Sequence, residues 1–170
     1  ELVCFPKGLA ALSRLEVIWA NHNNLTALPQ SLAGLSALRE LYLYDNRLDD
    51  LPESLGRLGC LTRLDLKSNA ITTLPASIGN LSQLEELSLW ANRLSRLPEE
   101  LWSLGKLNVL NLRSNCLTQL PQGIGQLTLL RELYLDSNQL RSLPAEVAAL
   151  SRLETLKLNG NGLEHLPDDL

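Results

Sequence analysis

Hydrophobic positions return along this chain every 23 residues, and seven of them fall in each period. One part of the period alternates apolar and polar residues, which predicts a short strand with one buried face. In the second full period, Leu41 and Leu43 are predicted to point inward, and Tyr42 and Tyr44 outward. A proline follows, and then leucines three residues apart, which predicts a short helical turn with one apolar side.

The prolines and a set of asparagines keep the same spacing. The repeated unit reads LxxLxLxxNxLxxLPxxLxxLxx, and it accounts for all eight prolines of the chain. The chain divides into a partial unit over residues 1–14, six full units, and a final unit over residues 153–170. The full units start at Leu15, Leu38, Leu61, Leu84, Leu107 and Leu130. The asparagines of the motif are Asn23, Asn46, Asn69, Asn92, Asn115, Asn138 and Asn161.

This unit resembles the 23-residue type of leucine-rich repeat over the whole chain. Units of this type occur in intracellular Ras-group-related proteins, polarity scaffolds, Roco proteins and bacterial repeat proteins. The resemblance implies an α/β fold, a right-handed solenoid forming a curved horseshoe segment. Its parallel β-sheet would line the concave side and its short helical turns the convex side. The resemblance also implies that the repeated asparagines form a hydrogen-bonded ladder along the solenoid.

The energetics of one unit predict that the units must stack. Seven buried core positions contribute roughly 10–20 kcal/mol, whereas ordering 23 residues costs about 1–2 kcal/mol per residue in backbone entropy. Terminal units of such arrays normally carry polar caps. Leu2, Val3 and Phe5 at one end, and Leu170 at the other, do not form such caps. We therefore expect a single leucine-rich-repeat domain over residues 1–170 that is a segment of a longer protein; the alternative is that a partner covers its ends.

Composition narrows the classes of partner. The chain is 45% hydrophobic and carries a net charge of −4, with an isoelectric point near 5.2. A nucleic-acid binder needs a basic surface that displaces counterions from phosphate, and an anionic membrane attracts the same kind of surface. No apolar run is long enough to span a bilayer. We expect a protein partner, with no nucleic acid, no membrane insertion and no small-molecule substrate.

The sequence offers no constellation for catalysis. His22 and Cys116 are four units apart, about 19 Å at the usual spacing of strands, so they cannot form a thiolate–imidazole pair. No cysteine or histidine pair has zinc-site spacing, and no phosphate-binding loop or nucleophile elbow is present. The chain is predicted not to be an enzyme, with no catalytic residues, no metal and no cofactor.

The cysteines and the glycosylation motifs point to different compartments. Cys4, Cys60 and Cys116 occupy three different positions of the unit and are not predicted to pair, which favours a reducing, cytoplasmic environment. Two Asn-x-Ser/Thr motifs, which begin at Asn24 and Asn80, favour an extracellular one. We expect a cytoplasmic protein and treat both motifs as chance products of the repeat composition.

The outward strand positions are the third, fifth and seventh of each unit, and they hold five of the seven aromatic residues. Tyrosine, tryptophan and arginine are the residues that most often anchor protein interfaces. We therefore predict a concave binding site formed by Trp19, Tyr42, Tyr44, Lys67, Trp90, Arg113, Tyr134 and Asp136.

The alternative is that these side chains stabilise the sheet itself. Aromatic residues favour strands and pack against cross-strand neighbours. Lys67 and Arg113 each lie one strand from an aromatic residue of the same row, where a cation–π contact is expected. Glu40, Arg63 and Glu86 alternate in sign along a second row. In this interpretation, the contacts among these side chains balance the charge of the face, and no partner is needed to explain their presence.

Trp102 departs from the repeat, since the other units have Ala or Gly at its position. Two interpretations are open: an exposed convex contact, or a side chain that covers a neighbouring groove. For function, the leading hypothesis is a protein-interaction scaffold. The alternatives are a targeting module of a larger enzyme, such as a kinase, GTPase or ubiquitin ligase, and an extracellular recognition domain.

Overall fold

The computed structural model describes residues 1–168, with only the backbone of Lys7; Asp169 and Leu170, the latter predicted to lie at an open end, are outside the described residues. Seven three-residue strands form one parallel sheet in sequence order. The strands are β1 (Val17–Trp19), β2 (Glu40–Tyr42), β3 (Arg63–Asp65), β4 (Glu86–Ser88), β5 (Val109–Asn111), β6 (Glu132–Tyr134) and β7 (Thr155–Lys157).

The register of the sheet follows directly from the length of the unit. Glu40 pairs with Arg63, and Tyr42 with Asp65, so each residue faces its equivalent 23 positions later. The same register continues across the described strands. Equivalent side chains consequently form rows that run across the strands, and neighbouring residues within one row are about 4.8 Å apart. The predicted parallel solenoid is confirmed.

Each strand is preceded by a short 3₁₀ helix on the opposite side of the molecule. The helices span Lys7–Ala11, Gln30–Gly34, Glu53–Arg57, Ala76–Asn80, Glu99–Ser103, Gln122–Gln126 and Ala145–Ala149. The repeated proline stands immediately before each helix in an extended conformation, and its carbonyl accepts the first helical hydrogen bond, as from Leu32 N–H to Pro29 O at 3.0 Å. Proline has no N–H to lose there, which explains its place in every unit.

The aliphatic positions of the unit form a continuous core. In the unit that starts at Leu38, all seven predicted positions are buried. Burial weakens towards the ends: Leu2 and Val3 are exposed, and Leu153 and Leu156 are only partly covered. Phe5 is an exception to the predicted open end, because its side chain is buried against the core.

The asparagine ladder is present and joins neighbouring units. Oδ1 of Asn92 accepts the N–H of Ile71 at 3.0 Å, and its Nδ2 group donates to the carbonyls of Leu66 and Leu89, both at 3.0 Å. Two of these three bonds reach the preceding unit. The side chain thus satisfies backbone groups that the turn buries, which only a residue that both donates and accepts can do.

The residue before each ladder asparagine adopts a left-handed conformation, which the sequence pattern did not reveal. Its φ angle lies between 52° and 56° at His22, Asp45, Ser68, Ala91, Ser114 and Ser137. The final unit has Gly160 there, with φ of 68°. A non-glycine residue in this region costs about 1–2 kcal/mol, so the ladder stabilises a turn that most of these side chains disfavour.

Trp102 is buried, and the interpretation as an exposed convex contact is wrong. Only 2% of its surface is accessible, and its ring lies against Gly123 in the next 3₁₀ helix. Elsewhere the arrangement is reversed: Gly56 lies against Ser77, and Gly79 against Glu100. The large side chain has changed places with the small one, so the alternative interpretation, that Trp102 covers a neighbouring groove, is confirmed.

Candidate interaction face

The concave face consists of three rows of side chains, from the third, fifth and seventh positions of the units. These side chains alternate with buried core residues such as Leu41 and Leu87, so they point away from the core. The N-terminal end of this face is the most accessible, because Trp19 exposes 65% of its surface and Val17 exposes 38%. The described part of the face is therefore apolar and open at β1.

Trp19 and Tyr42 form a stacked pair across β1 and β2. Their ring centroids are 3.9 Å apart and the rings are inclined by only 14°. The Tyr42 hydroxyl donates to the Glu40 carboxylate at 2.8 Å. Partial burial, together with this carboxylate, raises the pKa of Tyr42 above its ordinary value. The stack fixes the tryptophan ring in position while most of its surface faces solvent.

The next predicted residues engage one another along the seventh row. Nζ of Lys67 lies 4.2 Å from the centre of the Tyr44 ring, and the Arg113 guanidinium lies 5.4 Å from that of Trp90. Both predicted cation–π contacts are thus confirmed. Lys67 also lies 3.4 Å from the Asp65 carboxylate. These two aromatic residues are covered on one side by cations, so they offer a partner less surface than Trp19 does.

The third row contains the predicted alternation of charge. Arg63 lies between two carboxylates, at 3.8 Å from Glu40 and 3.1 Å from Glu86. Such partly exposed pairs contribute little stability, about 0–1 kcal/mol each. Their main effect here is to reduce the net charge of the row, as the alternative interpretation of the face expected.

Tyr134 and Asp136 are more constrained than an outward position suggests. The Tyr134 hydroxyl donates to Glu132 at 2.6 Å, which raises the pKa of Tyr134. Asp136 is only 8% exposed, and its Oδ1 accepts both the backbone N–H of Asn159 at 3.2 Å and the Nδ2 group of Asn159 at 2.7 Å. Asp136 therefore occupies an outward position of the unit but is buried and bonded within the chain.

A depression with a volume of about 470 Å³ lies beside Tyr134 and Asp136. Arg113 and Lys157 line it on either side of β6. Neither cation has a carboxylate within 4 Å among residues 1–168, in contrast to Arg63 and Lys67. The predicted site residues thus lie on one face, and Trp19 is the most exposed of their aromatic side chains.

One contact on this face was not predicted. Nδ1 of His22 lies 2.6 Å from Oδ2 of Asp45, and the imidazole makes an edge contact with the Tyr44 ring at 4.9 Å. Both residues occupy the left-handed position of neighbouring units, so the 23-residue spacing alone was the signal that could have found them. The partner of His22 is thus the Asp45 carboxylate and not the thiol of Cys116.

The described residues contain few features of a chemical site. Within residues 1–168 no group of three or more His, Cys, Asp or Glu side chains is arranged to hold a metal ion. Cys4 and Cys60 are exposed, Cys116 is half-buried, and all three are unpaired. None of the helices in this part of the chain has the length and apolar character that crossing a membrane requires.

Comparison with known proteins identifies the family. A family model described as a leucine-rich repeat region matches residues 3–112, and a second leucine-rich-repeat model matches residues 106–127. The chain belongs to the leucine-rich-repeat family. A search of curated proteins returns no match.

Solved structures with the same fold come from bacteria and plants. A leucine-rich-repeat protein of Leptospira interrogans is 31% identical over 99% of this chain and 55% of its own, with a TM-score of 0.69. An internalin of Listeria monocytogenes is 28% identical over 98% of this chain and 47% of its own, with a TM-score of 0.82.

A plant peptide hormone receptor, solved in complex with the hormone RGF2, is also 28% identical over 98% of this chain, with a TM-score of 0.75. The match covers 32% of the receptor chain. The present chain therefore spans about a third to just over half of the length of these three proteins.

Proposed function

We propose that this chain is a protein-interaction module that binds a protein partner on its concave face, with Trp19 and Tyr42 as the main anchors. The observation that carries the proposal is the stacked, 65% exposed ring of Trp19. The other predicted residues, from Tyr44 to Asp136, extend from this anchor across the face towards β6 and would supply further contacts.

In the absence of a partner, the Trp19 ring leaves apolar surface in contact with water. A tryptophan side chain buries about 150–250 Å² when fully covered, and burial of apolar surface stabilises by about 25 cal/mol per Å². Covering the exposed two thirds of Trp19 would thus contribute roughly 3 kcal/mol to binding. Because Tyr42 holds the ring in place, little side-chain entropy is lost when a partner docks.

The relatives support the same function without identifying the partner. Leucine-rich-repeat proteins are typically interaction modules rather than enzymes, and one similar structure is a receptor bound to a peptide hormone. We accordingly infer no catalytic role and no need for a cofactor. The net charge of −4 favours a protein ligand over a nucleic acid.

We propose a cytoplasmic location, which the three unpaired thiols support. An extracellular recognition domain is the second candidate, because Asn80 of one glycosylation motif is exposed at the end of a convex 3₁₀ helix. Mass spectrometry of the protein from its source organism separates the two: three titratable thiols without glycan support the first, and a glycan on Asn80 supports the second.

The proposal is tested by affinity capture from the source organism with three folded baits. Wild type is compared with Trp19→Ala/Tyr42→Ala, and Arg57→Ala/Glu99→Ala on the convex side serves as the matched control. We expect a partner that the wild type and the convex variant retain and the concave variant loses. A partner held equally by all three, with unchanged circular dichroism, would contradict the concave anchor.

A further inference from the structure

The middle of the concave face contains a trough between two tyrosines. Its floor is formed by the short fifth-row side chains of three neighbouring strands, Asp65, Ser88 and Asn111. Tyr42 closes one end on β2 and Tyr134 closes the other on β6. Four strand spacings separate the tyrosines, about 19 Å, which equals about six residues of an extended chain. A depression of about 130 Å³, lined by Tyr42, all three floor residues and the neighbouring third-row side chains, lies over this floor.

The two long walls of the trough differ in charge. The third-row wall contains Glu40, Arg63, Glu86 and Glu132, a net charge of −2. The seventh-row wall presents Lys67 and Arg113, each over an aromatic ring. Its one carboxylate, Asp136, is buried and bonded to Asn159. Four residues separate the rows along each strand, so the walls are about 13 Å apart.

The floor is polar and favours an extended chain over a helix. Oδ1 of Asp65 accepts the N–H of Lys67, and Oδ1 of Asn111 accepts the N–H of Arg113, both at 3.1 Å. The Asn111 amino group and the Ser88 hydroxyl remain to be satisfied if the trough is covered, whereas the second carboxylate oxygen of Asp65 already lies 3.4 Å from Nζ of Lys67. An extended segment has unpaired backbone N–H and C=O groups for this purpose. A helix has none to offer along its length, because its backbone groups are already bonded to one another.

We propose that this trough binds an extended polypeptide segment of about six residues with alternating charge. Successive side chains of an extended chain point to opposite sides. Acidic side chains on one side meet Lys67 and Arg113, and basic side chains on the other meet Glu86 and Glu132. The proposal rests on the proposed function and specifies the chemistry of the partner segment.

The test uses two fluorescent six-residue peptides of identical composition. One alternates lysine and glutamate, which places all its lysines on one side when extended, and the other has three lysines followed by three glutamates. Fluorescence anisotropy at low ionic strength measures binding to the intact chain. We expect the alternating peptide to bind about tenfold more tightly, which corresponds to about 1.4 kcal/mol from several surface charge pairs. Equal binding, or no binding of either peptide at about 1 mM, would overturn the inference.

Two variants test whether the peptide binds in the trough. Ser88→Trp fills the floor and should weaken the alternating peptide at least about tenfold, whereas Ser95→Trp, at an exposed position outside the trough, should leave it unchanged. If Ser88→Trp does not fold by circular dichroism, Arg113→Glu replaces it and should abolish the preference between the peptides. Unchanged binding in the folded variant overturns the proposal. A partner captured through Trp19 and Tyr42, with no peptide preference, would overturn only the trough and leave the proposed function standing.

Discussion

The exchange of sizes between Trp102 and Gly123 predicts a strong energetic coupling between neighbouring 3₁₀ helices. A Cβ atom added at Gly123 would lie 2.6 Å from Nε1 of Trp102, and closer still to other atoms of the ring. At the equivalent contact two units earlier, a serine occupies the Gly123 position and a glycine the Trp102 position. This is the pair Gly56 and Ser77, in which the serine Cβ leaves no room for a side chain on the glycine.

The magnitudes follow from burial and overlap. Gly123→Ser forces a side chain into the Trp102 ring, and overpacking of this kind costs about 1–3 kcal/mol. Trp102→Gly removes a fully buried tryptophan and should cost about 3–5 kcal/mol. In the double variant the serine no longer meets a ring, and the pair resembles Gly56 with Ser77. We expect the double variant to be no less stable than Trp102→Gly alone, a coupling of about 1–3 kcal/mol.

The coupling is measured by equilibrium unfolding in urea, followed by far-ultraviolet circular dichroism because tryptophan fluorescence changes with Trp102. Repeat arrays can unfold in more than one step, so the denaturant slope must agree among the variants. Gly105→Ser is the matched control, since a Cβ there meets no atom within 4 Å, and it should change stability by less than about 0.5 kcal/mol. Additive effects of the two single substitutions, within about 0.5 kcal/mol, would refute the size exchange.

Three further outcomes are expected. Asn92→Ala removes three buried hydrogen bonds and should lower the free energy of unfolding by about 2–4 kcal/mol, whereas Asn23→Ala, at the more exposed end of the ladder, should cost less in the same urea titration. Ala91→Gly relieves a left-handed alanine with φ of 55° and should raise that free energy by up to about 1 kcal/mol, while a fall would contradict the strain. Glu132→Gln should lower the raised pKa of Tyr134, seen by ultraviolet titration of the phenol against Tyr134→Phe. Because the pKa of Tyr134 is raised in the folded state, the stability linked to this residue is present below pH 10 and declines as the pH rises through the folded pKa. An unchanged pKa of Tyr134 in Glu132→Gln would show that the Glu132 carboxylate does not cause the shift.

The sequence by itself determined the architecture, because its strict period leaves one arrangement. Units of equal length place equivalent residues beside each other, so the register from Glu40 to Arg63 follows from counting. The seven apolar positions define the core, and the repeated asparagine defines the ladder that Asn92 illustrates. The inward or outward direction of strand residues follows from the period of two.

Some contacts within the candidate site also followed from the spacing of charges and rings along one row. The contacts of Lys67 with Tyr44 and of Arg113 with Trp90 could be predicted because each cation lies in the unit next to an aromatic residue of the same row. The accessible surface of each side chain did not follow, because it depends on how far neighbours fold over it. Trp19 is open and Asp136 is covered, although both occupy outward positions.

Only the tertiary structure decided where the residues that depart from the repeat pattern lie and what they contact. Trp102 is buried because the next unit has Gly123 where the other full units have a serine or a glutamate. A pattern within one unit does not contain that relation between units. His22 and Asp45 meet because both lie in a left-handed turn whose φ angle the hydrophobic period does not encode. The period determines which residues are neighbours, and the packing of particular side chains decides what those neighbours do.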